Sequence, residues 1–251
     1  MRASRLLERN VMVYRRGWMV IFSGFFEPVF YLFAIGVGIG DLVGDLRFNG
    51  EVISYTAFAA PALLAASAMN GAVYESTMNI FFKLREARVY DAILATPVGI
   101  TDVAVGEIAW CLIRGIIYAV GFLVVMTVMG LIESWWGVLL LPGAVLIGFA
   151  FAAVGMACTS YMRSWQDFDM VQLFVLPMFL FSATFYPLST YPDGLQWVVR
   201  ATPLYQGVEL MRSLALGIIG PDLVGHAAYL LAMGVAGLAI ASRRLGRLLL
   251  P

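Results

Sequence analysis

The stretch VAVGEIAWCLIRGIIYAVGFLVVMTVMG, residues 103–130, decides the fold. Glu107 and Arg114 are its only charged residues. A helix needs roughly 20 apolar residues to cross the hydrocarbon core of a bilayer, which is about 30 Å thick. Residues 103–130 exceed this length, so the stretch predicts a transmembrane helix.

Stretches of the same kind recur along the whole chain. Hydrophobic residues make up 61% of the sequence and charged residues only 13%, about half the charged fraction of ordinary soluble domains. We therefore predict an all-α polytopic membrane protein with six transmembrane helices in one domain over residues 1–251. The predicted spans are 18–40, 53–82, 103–130, 137–161, 170–187 and 223–241, of which the fifth is the shortest.

The distribution of basic residues predicts how the chain crosses the membrane. Short cytoplasmic loops are enriched in Lys and Arg, and six spans place both termini on one side. That side carries twelve basic residues, whereas the opposite side carries only Arg47, Arg200 and Arg212. We therefore expect both termini in the cytoplasm. The twelve are Arg2, Arg5, Arg9, Arg15, Arg16, Lys83, Arg85, Arg88, Arg163, Arg243, Arg244 and Arg247.

Residues 3–16, ASRLLERNVMVYRR, precede the first span and have a mixed composition. Leu7, Val11 and Tyr14 recur at helical spacing, while arginines occupy the other faces. This pattern predicts an amphipathic interfacial helix on the inner membrane surface, with its arginines toward anionic lipid headgroups. The alternative is a plain basic anchor for the first span.

Residues 186–221 are too polar to cross the membrane and too apolar for a free loop. Their pattern predicts two short re-entrant helices, at about 193–200 and 204–217, before the last span. We expect these helices to dip into the outer leaflet and to pack against protein, because a broken backbone must be satisfied there. The segment is punctuated by Pro187, Pro192, Pro203 and Pro221.

The cytoplasmic connection after the second span, residues 83–96, has apolar residues such as Leu84, Ala87 and Ile93 at helical spacing, and Pro97 ends the pattern. We predict a short amphipathic helix here. Such a helix can dock into a groove of a soluble partner while its charges fix the register. It can equally serve only to connect two spans. Its charged residues are Lys83, Arg85, Glu86, Arg88 and Asp91.

Charged residues also fall inside predicted spans. A charge at the bilayer centre costs roughly 2.5–3.5 kcal/mol on insertion scales, so it normally faces protein or a water-filled cavity and is paired. We expect Arg114 to pair with Glu27 or with Glu75. Such a pair either fixes the packing of the spans or forms a polar site on a substrate or proton path.

Motifs for chemistry are missing from the sequence. It has no GxxxxGK[ST] phosphate loop, because its single lysine, Lys83, follows Phe82 rather than glycine. His226 is the only histidine, which excludes a multi-histidine metal site and leaves no plausible Ser-His-Asp set. We assign no catalytic, cofactor-binding or metal-binding residue and do not expect an enzyme. Nucleic-acid binding has no support, because the loops leave no exposed basic surface.

Several short motifs follow one another in order along nearly the whole chain. They are Glu27-Pro28, the glycine run Gly36–Gly40, Thr96-Pro97, Gly106-Glu107, Pro187 with Trp197, Thr202-Pro203-Leu204 and Glu209-Leu210-Met211-Arg212. In this order and spacing the chain resembles the permease subunits of ABC-2-type exporters, a group with nodulation-factor, polysaccharide and daunorubicin-type drug exporters. The likeness is closest to nodulation-factor exporter permeases.

The resemblance implies a mechanism. Two permeases, identical or homologous, would pair, and two copies of a cytoplasmic ATPase subunit would bind ATP and Mg and dock on them. By this resemblance Arg85, Glu86, Arg88 and Asp91 lie on or beside a coupling helix, with Arg9 nearby on the N-terminal helix. Substrate would pass between the permeases. The residues that would close the outer end include Tyr186, Pro187, Trp197, Pro203 and Arg212.

The leading hypothesis is therefore the permease subunit of an ATP-driven exporter in a bacterial inner membrane. Its cargo would be an amphipathic drug, lipid or glycolipid, as in antibiotic efflux or lipid export. The alternative is an ion-coupled secondary carrier that uses Glu27 or Glu75 as a proton site. A membrane-embedded enzyme is a third possibility, but no convergent catalytic set supports it.

Overall fold

The computed structural model describes residues 3–14, 26, 29–48 and 51–249, and most of these residues are helical. Helix α1 spans Ala3–Tyr14. A π-helical segment, Leu32–Ile39, leads into the short helix α2, Gly40–Val43. Most of the first predicted span, residues 18–40, lies outside the described residues.

A β-hairpin follows α2 and departs from the all-α prediction. Strand β1, Asp45–Phe48, pairs antiparallel with β2, Glu51–Ser54, so that Leu46 lies opposite Ile53. The hairpin forms here because Phe48 packs edge-on against Phe58, with ring centres 5.5 Å apart, and aromatic pairs favour this geometry. The hairpin thus covers the N-terminal end of the helix that follows it.

Among the described residues, four helical segments are long and apolar enough to cross a membrane. They are α3, Tyr55–Glu86; α5, Ile100–Val128; Trp135–Thr159, whose α-helical part is α6, Leu140–Thr159; and α10, Asp222–Leu249. At 1.5 Å per residue each exceeds the roughly 30 Å of hydrocarbon. They correspond to the second, third, fourth and sixth predicted spans, and the chain is a helical membrane protein.

The fifth predicted span, residues 170–187, is shorter in the structure. Helix α7, Asp167–Leu180, has 14 residues and is therefore about 21 Å long. The chain leaves the helical path after Phe181, and Ala183 adopts a positive φ of 55°. A count of six spans accordingly stays a prediction.

Two helices occupy the segment before α10, close to the predicted positions. Helix α8 spans Asp193–Ala201 and α9 spans Pro203–Leu216. Thr202 caps α9 by accepting a hydrogen bond from the Tyr205 amide, and Gly217 ends it with a φ of 78°, as N-caps and left-handed C-caps commonly do. Their re-entrant placement in the membrane stays a prediction.

The helix predicted over residues 83–96 is divided in the structure. Lys83 to Glu86 continue α3 as a π-helical turn, and a separate short helix, α4, spans Val89–Leu94. Arg88 between them has a left-handed backbone with φ of 44°. The division arises because Lys83 is buried and ion-paired with Glu107 of α5, which holds this end of α3 against the helix bundle.

Helix α6 lies at the centre of the bundle and contacts α3, α5, α9 and α10. Small residues allow close approach, as is usual between transmembrane helices. A Cβ atom at Gly237 of α10 would lie 2.8 Å from backbone atoms of Ala153 and Val154. The α6–α10 contact is the most extensive between any two elements of the described chain, so this close approach fixes the bundle.

Candidate functional site

The end of the bundle where α3 meets α4 presents a cluster of exposed charges. Arg85, Glu86, Arg88 and Asp91 are all exposed around the break between α3 and α4, and Arg9 is half-buried on α1. The structure therefore brings these five predicted residues to one end of the molecule. Between α1 and α4 lies a groove of about 460 Å³.

Three arginines edge this groove, and its floor is apolar. Arg5 and Arg9 belong to α1 and Arg88 to the turn before α4, while Leu6 and Ile93 form part of the floor. No carboxylate lines the groove within the described part of the chain. Its chemistry suits a partner segment that carries negative charge beside apolar side chains.

One buried carboxylate joins three elements of the bundle. Glu107 of α5 accepts a 2.7 Å hydrogen bond from Nζ of Lys83 at the end of α3, and a 3.5 Å hydrogen bond from Nδ2 of Asn10 on α1. All three side chains are buried. Glu107 therefore couples the positions of α1, α3 and α5. We call Asn10, Lys83 and Glu107 together the Glu107 node.

Tyr90 of α4 extends the Glu107 node to the short helix. Its side chain is fully buried, and its hydroxyl lies beside the Glu107 carboxylate. Burial raises the pKa of Tyr90, and the neighbouring negative charge raises it further, because both disfavour a second anion there. A displacement of α4 thus reaches the ends of α3 and α5 through Tyr90.

The cluster of exposed charges is also tied to the connection between α6 and α7. Arg85 donates a 3.1 Å hydrogen bond to the carbonyl oxygen of Met162. Phe81 packs against Trp165 and Phe168, with ring centres 4.9 and 5.3 Å away. Arg85 therefore has a structural partner within this chain in addition to its predicted role in docking.

Within the membrane-spanning part, the structure shows the predicted pair of Arg114 with Glu75. Nη1 of Arg114 on α5 binds the Glu75 carboxylate on α3, and Nη2 donates a 3.0 Å hydrogen bond to the Tyr118 hydroxyl. The Arg114 and Glu75 side chains are 11% and 5% exposed, so the charges are compensated where burial is costly. Glu27 lies outside the described residues.

Glu75 begins a π-helical turn, Glu75–Asn79, inside α3. Such turns insert an extra residue into a helix and are frequent at functional sites. Here the wider turn is stabilised by Thr77, whose hydroxyl donates a 2.6 Å hydrogen bond to the Val73 carbonyl oxygen. The turn changes the direction of the side chains that follow Glu75 along α3.

At the opposite end of the bundle, Arg212 of α9 is completely buried. Its Nη1 binds Glu209 at 2.7 Å, its Nη2 donates to the Ala183 carbonyl oxygen at 2.8 Å, and its Nε donates to the Phe58 carbonyl oxygen at 3.2 Å. One side chain thus joins α9, α3 and the segment after α7. Among the residues predicted to close the outer end, Arg212 is the one whose contacts hold these elements together.

The other predicted outer residues lie along the surface of this segment. Tyr186 packs against Tyr191 with ring centres 4.7 Å apart, and burial together with Tyr186 raises the pKa of Tyr191. Trp197 is 74% exposed and lies beside Arg200. Pro187 precedes a 3₁₀ turn. Pro203 is the first residue of α9. The structure does not gather these residues into one cluster.

Sequence reasoning missed the Glu107 node. The sequence predicts Lys83 on the amphipathic helix at 83–96 and places Glu107 inside the third span and in the Gly106-Glu107 motif, but it does not pair the two residues. The sequence does contain a signal for a buried lysine, because Lys83 is the only lysine and lies next to an apolar span. A single ammonium at that position needs a nearby carboxylate if it is buried.

Comparison with known proteins gives a family for most of the chain. Residues 2–216 match the family described as ABC-2 type transporter. This match includes the exposed charges around the break between α3 and α4, the Glu75–Arg114 pair and Arg212, so it extends over every site described above.

Curated relatives agree with the family match. The chain is 33% identical over 212 residues to Nodulation protein J of Rhizobium meliloti (strain 1021), covering 83% of this chain and 79% of the relative. It is 32% identical over 221 residues to Nodulation protein J of Rhizobium leguminosarum bv. trifolii, covering 87% and 82%. Nodulation protein J of Sinorhizobium fredii is 33% identical over 221 residues, with the same coverage.

Proposed function

This chain belongs to the ABC-2 type transporter family, and from that membership we propose that it is the permease of an exporter that carries an amphipathic molecule out of the cytoplasm. Membrane components of this family are transport subunits without catalytic activity of their own. The cargo we propose is a drug, lipid or glycolipid. We base this cargo on the resemblance to nodulation-factor and drug exporter permeases, and the curated relatives carry the name Nodulation protein J.

The observation that supports the proposal most is the arrangement of the cytoplasmic end. The exposed residues Arg85, Glu86, Arg88 and Asp91 belong to the same stretch of chain as Lys83 and Tyr90, whose buried side chains lie beside Glu107. A partner that binds these charges would press on α4, and Tyr90 would pass the displacement to Glu107. This arrangement offers a route from a separate ATPase to the ends of two long helices.

We assign the five charged residues to docking of a separate ATPase, which would bind ATP and Mg. Arg85, Glu86, Arg88 and Asp91 would set the register of the contact, and Arg9 would bind the same partner from α1. Two ATPase copies would serve a pair of permeases, identical or homologous. Binding of ATP would favour one conformation of the pair, because a ligand shifts an equilibrium by its differential affinity for the two states.

At the outer end we propose a gate formed by the segment from Tyr186 to Arg212. Arg212 would hold α9 against α3, while Pro187 and Pro203 shape the turns around Trp197. The surrounding lipid would contact exposed apolar residues such as Trp197. We place the protein in a bacterial inner membrane with both termini in the cytoplasm, following the excess of basic residues on that side.

Affinity isolation tests the proposal. A tagged chain, isolated in mild detergent from its native host, should bring down a P-loop ATPase in about a one-to-one ratio, and the complex should hydrolyse ATP. A chain isolated without any ATPase, yet able to transport in response to a pH gradient, would instead support the ion-coupled carrier.

A further inference from the structure

The β-hairpin between α2 and α3 has one exposed face, and that face carries two opposite charges. Side chains alternate along β1, so Leu46 and Phe48 are half-buried. Asp45 and Arg47 are exposed. Phe48 packs against Phe58 of α3, which turns the other face of β1 away from the bundle. Asp45 and Arg47 therefore lie side by side on the exposed face of one strand.

The backbone edge of β1 beside these charges is open for pairing. Only two residues separate β1 from β2, so Phe48 and Glu51 next to the turn form a hydrogen-bonded pair, and every second pair is hydrogen-bonded from there. Asp45 and Arg47 belong to the pairs in between, so they direct their N–H and C=O groups to the opposite edge. Within the described residues, no further backbone hydrogen bond is made at that edge.

The two charges have no counter-charge in the described part of the chain. None of the ion pairs there includes Asp45 or Arg47. An unpaired strand edge is a template for another strand, and opposite charges directly across a strand pair stabilise it. A partner strand that suits this edge therefore carries a positive and a negative residue two positions apart. β1 itself has this pattern.

The charges also select one register for two copies of β1. A symmetric dimer is related by a two-fold axis, so the same surface of each copy takes part. With the axis at Leu46, Asp45 of each copy lies opposite Arg47 of the other. With the axis at Asp45 or at Arg47, like charges lie opposite each other, which is destabilising. The register centred on Leu46 thus joins the open backbone groups and the opposite charges at the same positions.

The other edge of the hairpin offers no such match. The residues of β2 that point to that edge are Val52 and Ser54, and both are uncharged. The Ser54 hydroxyl is also occupied, because it caps α3 by accepting a 3.2 Å hydrogen bond from the Ala57 amide. The edge of β1 is therefore the one that suits a second copy.

We propose that two copies of this chain contact each other through β1, which pairs antiparallel with β1 of the second copy and has Leu46 on the two-fold axis. The contact would consist of the Asp45–Arg47 ion pair, its symmetric equivalent and the backbone hydrogen bonds between the two strands. This inference rests on the proposed function for the pairing of permeases, and it assigns the pair to identical chains.

Charge reversal tests this contact without disturbing the fold, because both residues are exposed. Asp45→Arg makes the exposed face of β1 wholly positive, and Arg47→Asp makes it wholly negative. The chain is produced without its native partners, labelled with a donor or an acceptor dye and reconstituted in liposomes. Energy transfer over a range of protein densities then measures pairing.

We expect each variant to pair with itself at least tenfold more weakly than the unmodified chain, because both attractions become repulsions. A mixture of the two variants should pair as well as the unmodified chain does. Unchanged self-pairing of the variants would overturn the proposal. Weak self-pairing without recovery in the mixture would overturn it too, since that result indicates damage to each chain.

Disulfides test the register. Asp45→Cys in one copy and Arg47→Cys in the other should crosslink on oxidation, because hydrogen-bonded antiparallel pairs have Cα atoms about 5.5 Å apart, within the range that disulfides span. The exposed Cys158 is replaced by serine in every chain. We expect at least fivefold more disulfide from this combination than from either variant alone.

Val52→Cys supplies the matched control for the crosslink. Val52 is 62% exposed but lies on β2, which is about 10 Å from β1 of the second copy at the usual strand spacing. Val52→Cys in one copy and Arg47→Cys in the other should therefore give little disulfide. Equal yields from all combinations would contradict the register.

The strand contact and the proposed function can fail separately. A chain that brings down an ATPase, while its charge variants pair like the unmodified chain, loses only the strand contact. A chain whose charge variants behave as expected, but which recovers no ATPase, loses only the proposed export mechanism. Pairing with a homologous permease alone, and none between identical copies, would also overturn the strand contact.

Discussion

The guanidinium carbon of Arg212 lies 3.8 Å from the centre of the Phe58 ring, and Nε of the same side chain donates a hydrogen bond to the Phe58 carbonyl oxygen. Arg212 thus holds α9 against α3 by two contacts with a single residue. The cation–π contact strengthens when water is excluded, and Arg212 is completely buried. The packing of α9 on α3 therefore depends on this one side chain.

Replacing Arg212 should loosen that end. Arg212→Gln leaves Glu209 without its ion-pair partner and two carbonyl oxygens without their donor, so we expect the free energy of unfolding to fall by about 3–5 kcal/mol. Denaturation in mixed micelles measures this change. Arg200→Gln is the control on α8, because Arg200 is exposed, and it should change stability by less than about 1 kcal/mol. Similar losses in both variants would contradict the assigned role of Arg212.

The Glu107 node should behave as one unit. Glu107→Gln leaves Lys83 buried without its counter-charge, and we expect a loss of about 3–5 kcal/mol in unfolding free energy. Lys83→Met should cost a similar amount, and the double variant Lys83→Met with Glu107→Gln much less than the sum of the two single losses. Additive losses would show that the two residues do not interact.

An exposed pair on α1 supplies the control for the Glu107 node. Arg5 and Glu8 form a 3.1 Å salt bridge with side chains that are 80% and 54% exposed. Glu8→Gln removes this pair by the same substitution as Glu107→Gln. Because solvent screens exposed ion pairs, we expect it to cost no more than about 1 kcal/mol.

The close contact between α6 and α10 predicts a steric effect. Gly237→Ala would place a Cβ atom 2.8 Å from backbone atoms of α6, and overpacking of this kind costs roughly 1–3 kcal/mol. Gly225 lies on the same helix with no atom within 4 Å of an added Cβ. Gly225→Ala should therefore be neutral or stabilise the helix by up to about 1 kcal/mol. Thermal unfolding of both variants tests the contact, and equal behaviour would contradict it.

Docking of the ATPase is best tested at Arg88. Arg88→Gly removes the guanidinium at a position whose φ is positive, where glycine relieves strain, so the fold should be as stable as before or more so. We expect recovery of the ATPase with the tagged chain to fall at least fivefold. Arg247→Gln, an exposed arginine near the end of α10, should leave recovery unchanged. Full recovery with Arg88→Gly would remove Arg88 from the docking surface.

Arg85 and Glu86 are a second position for the same test. Reversing both charges should abolish ATPase activity that depends on the cargo. Arg85 also binds the Met162 carbonyl oxygen, so this variant disturbs the connection between α6 and α7 as well. A substitution at Arg88 is therefore the more specific test of docking. A variant at Arg88 that is stable but no longer recovers the ATPase supports the docking surface more strongly than the charge reversal does.

Hydropathy alone predicted the four long helices of the described chain. The span predicted at 103–130 corresponds to the helix Ile100–Val128, and the span predicted at 223–241 lies within the helix Asp222–Leu249. Hydropathy could not predict that α7 ends at Leu180, before the end of the span predicted at 170–187. That end is set by Ala183, whose positive φ presents its carbonyl oxygen to Arg212, a residue 29 positions later. Such a long-range contact leaves no trace in local composition.

The β-hairpin was predictable but was not predicted. Asn49-Gly50 lies in the sequence between two short alternating segments, which is a strong signal for a two-residue hairpin turn. The partner of Arg114, by contrast, could only be narrowed to Glu27 or Glu75. Spacing along one helix does not fix its rotation against another helix. The contact between Glu75 and Arg114 is therefore seen only in the packing of α3 on α5.

Transport itself tests the central claim most directly. The chain is reconstituted in liposomes with and without its ATPase, and movement of a fluorescent short-chain lipid between the leaflets is followed by quenching from one side. We expect movement above the protein-free rate only with the ATPase and hydrolysable ATP, and none driven by a pH gradient alone. Equal movement by the chain without any ATPase would contradict the account.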